Sequence, residues 1–226
     1  AYTDAQLFHH QGRFMFDPSL LKRVDVQKGT GSASVGIGAT SGAIVAETVS
    51  AKDLLKEGQD IGFKVHAGVS SNSGWSKGAT VYSKAGPVDA LISANFVTER
   101  DYKAGNGYKV KNSALGQRGL LAKLGFDLNE NHRIEISHRQ ERHYGVRALR
   151  EEFDNAPRYR ITQNDTTNLE WNGKNMGFVT NAKANVYHSV INRKEPSENS
   201  KTRLIANGAN LNLESAVGQS HLIKYG

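Results

Sequence analysis

Two groups of residues in this sequence could do chemistry: histidine and tyrosine near the N-terminus, and a basic, aromatic run between positions 138 and 160. There is no cysteine, so a metal ion would have to be held by imidazole, phenolate or carboxylate groups. His9 and His10 are neighbours, and neighbours on an extended backbone point to opposite faces. One of them serves a given site, and His10 is the preferred candidate, with Tyr2, Asp4 or a loop residue completing the shell. The second run holds His138, His143, Tyr144, Arg147, Arg150, Arg158, Tyr159 and Arg160. Guanidinium groups suit a polyanionic ligand, and tyrosine rings can stack on an aromatic one. His143 or Tyr144 could instead offer a metal ligand from above His10. The plainer alternative is that these arginines pair with Glu141, Glu151, Glu152 and Asp154, or are simply solvated.

Other chemistry finds little support. Nucleophile elbows of the Gly-x-Ser-x-Gly kind and His-Glu-x-x-His zinc pairs are absent, and the adjacent Glu151 and Glu152 diverge on a strand. The sequence predicts a protein that is not an enzyme. The glycine-rich stretch "QKGTGSASVGIGATSGAI" fails as a phosphate cradle: Gly29 and Gly31 are followed by Ser34 where a dinucleotide fingerprint needs glycine, and the Gly31 to Gly36 spacing ends in Ile37 instead of lysine. Gly29, Gly31, Gly36, Gly38 and Gly42 read instead as permitting tight turns and close packing against a confining wall.

The elements that must position these groups are strands. From about Gly58 the sequence repeats a unit of roughly ten alternating residues and a turn. Phe63, Val65, Ala67 and Val69 form one apolar row; Ala90, Ile92, Ala94 and Phe96 form another; Leu120, Ala122, Leu124 and Phe126 a third. Ile134 and Ile136, Leu169 and Trp171, and Ala182, Ala184 and Val186 continue the pattern, while Lys123, Asp127, Arg133, Glu135, Glu170, Lys183 and Asn185 occupy the opposite faces. Short connections are predicted near 85–88, 129–132, 172–177 and 216–219, and longer ones near 101–113, 143–163 and 191–201, with a short first hairpin near 72–74. Short turns at one end and long loops at the other describe an outer-membrane barrel better than a sandwich. The mean hydropathy of -0.54 does not oppose this, because lipid-facing and lumen-facing residues average out along each strand. The 23 glycines and 4 prolines suit tight turns. The net charge of +7 permits an anionic partner, but the aromatics form no stacking platform, so no nucleic acid is expected.

The segment "LLKRVDVQKGTGSASVGIGATSGAIVAETV", Leu20 to Val49, resembles the plug signature of TonB-dependent outer-membrane receptors. It departs from the common pattern at Asp25, Thr30 and Ser41, none of which adds a charge. "FHHQGRF" and "HRQERHYGVRALREEF" are similar to the iron-regulated, ferric-enterobactin-type branch, with His10, Gln11, Gly12, Arg13 and Phe14 matching and Phe8 and His9 departing. The resemblance implies a mainly all-β chain: a fragment of a plugged transmembrane antiparallel β-barrel, with a small α+β plug remnant at residues 1–55 and about nine barrel strands in 56–226. It implies a Gram-negative outer-membrane receptor that imports iron or a ferric siderophore, of the catecholate type, driven by the TonB complex through a segment upstream of Ala1. Ferric iron would be cargo, with no tightly bound cofactor. His10, Tyr2, His143 and Tyr144 are the expected metal ligands, and Gln11, Arg13, Arg147, Arg150 and Arg158 the expected ligand contacts. Outer-membrane lipids and lipopolysaccharide would surround it, and the arginines of the basic run could pair with the lipopolysaccharide instead of with cargo. Zinc or haem import is the alternative within transport; a soluble or surface β-sheet adhesin is the alternative outside it.

Overall fold

The computed structural model describes residues 17–28, 42–147, 157–218 and 221–226. Asp17 caps a single 3-10 turn, Pro18–Leu20, by accepting from the Ser19 amide at 3.0 Å. The chain then enters β1 (Leu21–Lys28), which pairs antiparallel with β2 (Gly42–Thr48). A one-turn helix, α1 (Ala51–Leu54), follows. The Asp53 carboxylate accepts from both the Ser50 amide and the Ser50 hydroxyl, the arm of a capping box that satisfies the N-cap amide.

All later strands belong to one nine-stranded antiparallel sheet in which each strand pairs with its neighbours in sequence. They are β3 (Ile61–Val69), β4 (Trp75–Ala85), β5 (Val88–Glu99), β6 (Leu115–Asp127), β7 (His132–Arg147), β8 (Arg158–Met176), β9 (Val179–Glu195), β10 (Ser200–Val217) and β11 (His221–Tyr225). Strand length grows from 9 residues in β3 to 19 in β8. Since ~9–11 tilted residues cross a bilayer, β7 to β10 reach well past one. The connections at one end are tight, reversing at Gly86 and Gly177, whose positive φ values of 55° and 67° suit residues without a Cβ.

Two expected loops are shorter than the sequence suggested. The connection predicted over 143–163 is confined to 148–157, because β7 runs to Arg147 and β8 starts at Arg158. The one predicted over 191–201 is the turn 196–199, built on Pro196–Glu198 with Asn199 left-handed at φ 49°. Polar residues interrupt the outward row near these strand ends, Arg142 on β7, Gln163 on β8, Asn192 on β9 and Arg203 on β10, so hydrophobic alternation breaks before the hydrogen-bonded ladder does.

The two faces of the sheet are the reverse of those in a soluble protein. The apolar rows are exposed, with Phe63 at 75%, Ile92 at 68% and Leu211 at 49%, whereas the polar face buries Asp89, Ser93, Asn95 and Glu141. A β-sandwich would hide the first set and solvate the second. On the polar side the only apolar nucleus among the described residues joins the two sheets: Leu20 and Ala51 pack against Leu91 and Leu121, flanked by Val49, Leu54, Leu55 and Tyr82. No helix among the described residues is long and apolar enough to cross a membrane, which says nothing about strands.

Candidate functional site

The polar face of β5 to β7 forms a charged wall against the N-terminal unit. Strand alternation along β7 sends Arg133, Glu135, Arg139, Glu141 and His143 to this side. Arg133 grips Asp89 with two parallel bonds, Nη1 to Oδ2 at 2.6 Å and Nη2 to Oδ1 at 3.0 Å, and also reaches Asp127 and Glu135 at 3.1 Å. This fork geometry is specific to a guanidinium. Glu135 is shared with Lys123 at 2.8 Å, and Lys123 donates to the Thr48 carbonyl of β2 at 3.1 Å. Lys52 of α1 pairs with Asp127. The wall and the N-terminal unit are thus tied through one continuous set of charges.

A second tie lies higher on β7. Glu141, 2% exposed, accepts from the Asp17 amide at 2.8 Å and is 3.1 Å from Arg139. Its partner in register on β6 is Gly119, and the Asp17 carboxylate occupies the space a Cβ there would need. That glycine is required by close approach of another chain segment. Among the described residues Asp17 Oδ2 and both ring nitrogens of His143 are buried without a hydrogen-bond partner. Among the described residues no three His, Asp or Glu side chains converge to hold a metal ion. At the upper rim Glu195 joins Arg160 at 3.0 Å and Arg193 at 2.7 Å.

Within the N-terminal unit, Lys22 and Asp53 form an ion pair of 2.6 Å. Hydrogen bonding to Asp53 raises the Lys22 ammonium above its ordinary value. Burial opposes ionisation of Asp53, but bonds from Lys22 and Ser50 outweigh it and hold the carboxyl below the usual aspartate range. A depressed carboxylate contributes stability above its unfolded pKa and loses it as pH falls through the folded one. Amide exchange at Ala51–Leu54 is therefore expected to be flat from pH 7 to 5, after correction for intrinsic rates, and to accelerate below about pH 4. Asp53→Asn should be fast at every pH.

The sequence-predicted ligands are dispersed. Tyr2, His10, Gln11, Arg13, Gly29, Gly31, Gly36, Gly38 and Arg150 lie outside the described residues. His143 faces the wall's polar side, but Tyr144 is on the opposite, outer face, where its ring lies across Gly116 and 5.9 Å from the Arg142 guanidinium. These two neighbours do not meet one ligand. Arg147 ends β7 directly opposite Arg158, and Arg158 pairs with Glu198 at 3.1 Å. Gly42 opens β2 opposite Lys28. The residues that sequence reasoning passed over are Asp17, Asp89 and Arg139; Glu141, expected to pair with the arginines of the basic run, pairs with Arg139 at 3.1 Å. The signal was present in β7: Arg-x-Glu at 133 and 135, and again at 139 and 141, puts opposite charges two apart on one face.

Comparison with known proteins agrees with this geometry. No family model matches the chain. Its structure superposes on the FrpB iron transporter from Neisseria meningitidis (F3-3 variant) with a TM-score of 0.86 and 42% identity, covering 99% of this chain and 39% of that one. The sequence is 33% identical over 147 residues to heme transporter BhuA of Brucella ovis, 65% of this chain and 22% of the relative. It is 30% identical over 152 residues to the TonB-dependent heme receptor A of Haemophilus ducreyi, 66% of this chain and 21% of that protein. The chain therefore spans about a fifth of the curated relatives' length. The copper transporter OprC shares the fold at a TM-score of 0.71 and 17% identity.

The nine-stranded meander with its apolar exterior and charged interior is part of the barrel of an outer-membrane protein. The chain belongs to the TonB-dependent outer-membrane receptor family. Its relatives are transporters and receptors.

Proposed function

We propose that this chain supplies the plug-to-barrel portion of a receptor that imports iron into the periplasm, with residues 1–55 in the plug and 56–226 in the wall. The observation that carries the reading is the 42% identity to the FrpB iron transporter over 99% of the chain. The seam between the two units fits a plug that must move. Among the described residues its polar contacts are Asp17 to Glu141, Lys123 to Thr48 and Lys52 to Asp127. Such a seam can be rearranged by a modest pull from the TonB complex acting upstream. His10 and Tyr2 bind the metal, and His143, on the inner side of the wall, is a further candidate ligand.

Ferric iron itself is favoured over a ferric catecholate. A polyanionic ligand needs available guanidinium groups, and the inward arginines 133, 139, 160 and 193 each sit within 3.1 Å of a carboxylate. Heme is the second reading, carried by the heme relatives at 30–33% identity. The test uses the whole receptor in detergent. Ferric iron is expected to quench tyrosine and tryptophan fluorescence, zinc to leave it unchanged, and His10→Ala to abolish the iron response. A stoichiometric Soret shift with hemin and no iron response would replace iron by heme. A response to neither would sink the import reading.

A further inference from the structure

The outer face carries a feature that import does not use. Arg118, Arg142, Gln163, Asn192 and Arg203 are directly opposite one another in register, forming one transverse row from β6 to β10. Lys194 and Lys201 face each other one outward row above. Between them lies a pocket of about 260 Å³ lined by Arg142, Ile161, Gln163, Asn192 and Lys194. Asp165, one outward row below, accepts from Gln140 at 2.7 Å and Gln163 at 2.8 Å and so fixes the Gln163 amide.

The charge pairing on this face is opposite to that inside. Inward arginines are matched to carboxylates, whereas among the described residues Arg118, Arg142, Lys194, Lys201 and Arg203 have no carboxylate within 4.0 Å. Among the described residues Arg118 Nε and Arg142 Nε are buried without a partner, while Arg118 Nη2 donates to Gln140 Oε1 at 3.1 Å. Position matters as well. Arg142 comes about ten residues after β7 leaves its turn at His132, and ~9–11 residues cross the bilayer, so the row stands at head-group height in the outer leaflet. Directly below on the same strands is an apolar groove of about 440 Å³ lined by Leu169, Trp171, Ala184, Val186, Ala209 and Leu211. Leu169 is about six residues below Gln163 on β8, roughly 20 Å of strand at ~3.3 Å per residue. That span suits a fatty-acyl chain. The polar side chains between the two features satisfy one another, His138 with Thr167 at 2.9 Å and His188 with Asn207 at 2.6 Å.

We propose that this band is a binding site for a phosphorylated glycolipid of the outer leaflet, its phosphate held by Arg142, Lys194 and Arg203 and an acyl chain lying in the groove below. Arginine and lysine at the mouth of a pocket are suited to phosphate oxygens, and cations without a carboxylate partner beside an anionic leaflet gain from it. The location in the outer membrane is the premise; the cargo is not.

The test is made on the whole receptor, delipidated in detergent and titrated with diphosphoryl lipid A under native mass spectrometry. Wild type is expected to retain the diphosphorylated lipid at least tenfold better than its dephosphorylated form, with millimolar inorganic phosphate failing to displace it. The Arg142→Ala/Lys194→Ala/Arg203→Ala variant should lose that preference while keeping the iron-dependent fluorescence response. Equal retention of both lipids by wild type, unchanged preference in the variant, or displacement by inorganic phosphate would each overturn the proposal. The lipid comparison on wild type decides the matter even where the triple variant fails to fold.

Discussion

Arg133→Met is expected to destabilise the whole receptor by roughly 3–5 kcal/mol, the usual result of removing one partner from a buried charge cluster. The guanidinium stands among Asp89, Asp127 and Glu135, and Asp89 is almost wholly enclosed at 4% side-chain exposure. Lys123 remains on Glu135 and Lys52 on Asp127, but Asp89 keeps no cation among the described residues. Methionine roughly fills the volume, so the loss is electrostatic more than a packing defect. The measurement is urea unfolding of refolded receptor in detergent, followed by the heat-modifiable shift of the barrel band. The companion variant Arg133→Met/Asp89→Asn removes the stranded charge and should regain at least half of the loss. Recovery of nothing would mean that Arg133 acts through shape instead of charge. Arg133→Lys should fall between, because an ammonium cannot reproduce the two-pronged bond to Asp89.

The strands were legible because lipid-facing rows need apolar residues at every second position. Phe63, Ala90, Leu120 and Ile134 each start such a row, and each lies on the exposed face of its strand. The same logic failed where polar residues interrupt the outward row. Beyond Ile136 the outer face of β7 carries His138, Gln140 and Arg142 before Tyr144 and Val146, so the residues from His143 to Arg147 read as loop although they pair with β8 in unbroken register. That misreading placed His143 and Tyr144 in one site, and the pleat separates them. The seam was legible only in part. Gly119 carries no mark in the sequence that distinguishes it from Gly116 or Gly125; its meaning comes from Asp17, far away in the chain. Local pattern reports which way a residue faces, and not which distant residue it meets.

Glu141→Ala should loosen the N-terminal unit from the wall without unfolding the barrel. The substitution leaves the buried Asp17 amide without its acceptor, at a cost of about 1–3 kcal/mol, and takes from Arg139 a carboxylate at 3.1 Å. The β6–β7 ladder is unaffected, since Glu141 and Gly119 remain paired through the backbone. Glu141→Gln keeps an oxygen for the Asp17 amide and loses the charge opposite Arg139. The two variants therefore separate the hydrogen bond from the ion pair. Limited proteolysis of the whole receptor in detergent is the measurement, scoring cleavage between Asp17 and Ala51 against retention of the heat-modifiable barrel. Cleavage should be about tenfold faster in Glu141→Ala, the factor that 1.4 kcal/mol of opening free energy gives, and only slightly faster in Glu141→Gln. Equal and large effects in both would assign the tie to the ion pair with Arg139, and no effect in either would remove Glu141 from the seam. If the N-terminal unit must leave the wall for cargo to pass, Glu141→Ala should also lower the energy input needed. Iron uptake in cells with limiting TonB should then fall less for this variant than for wild type.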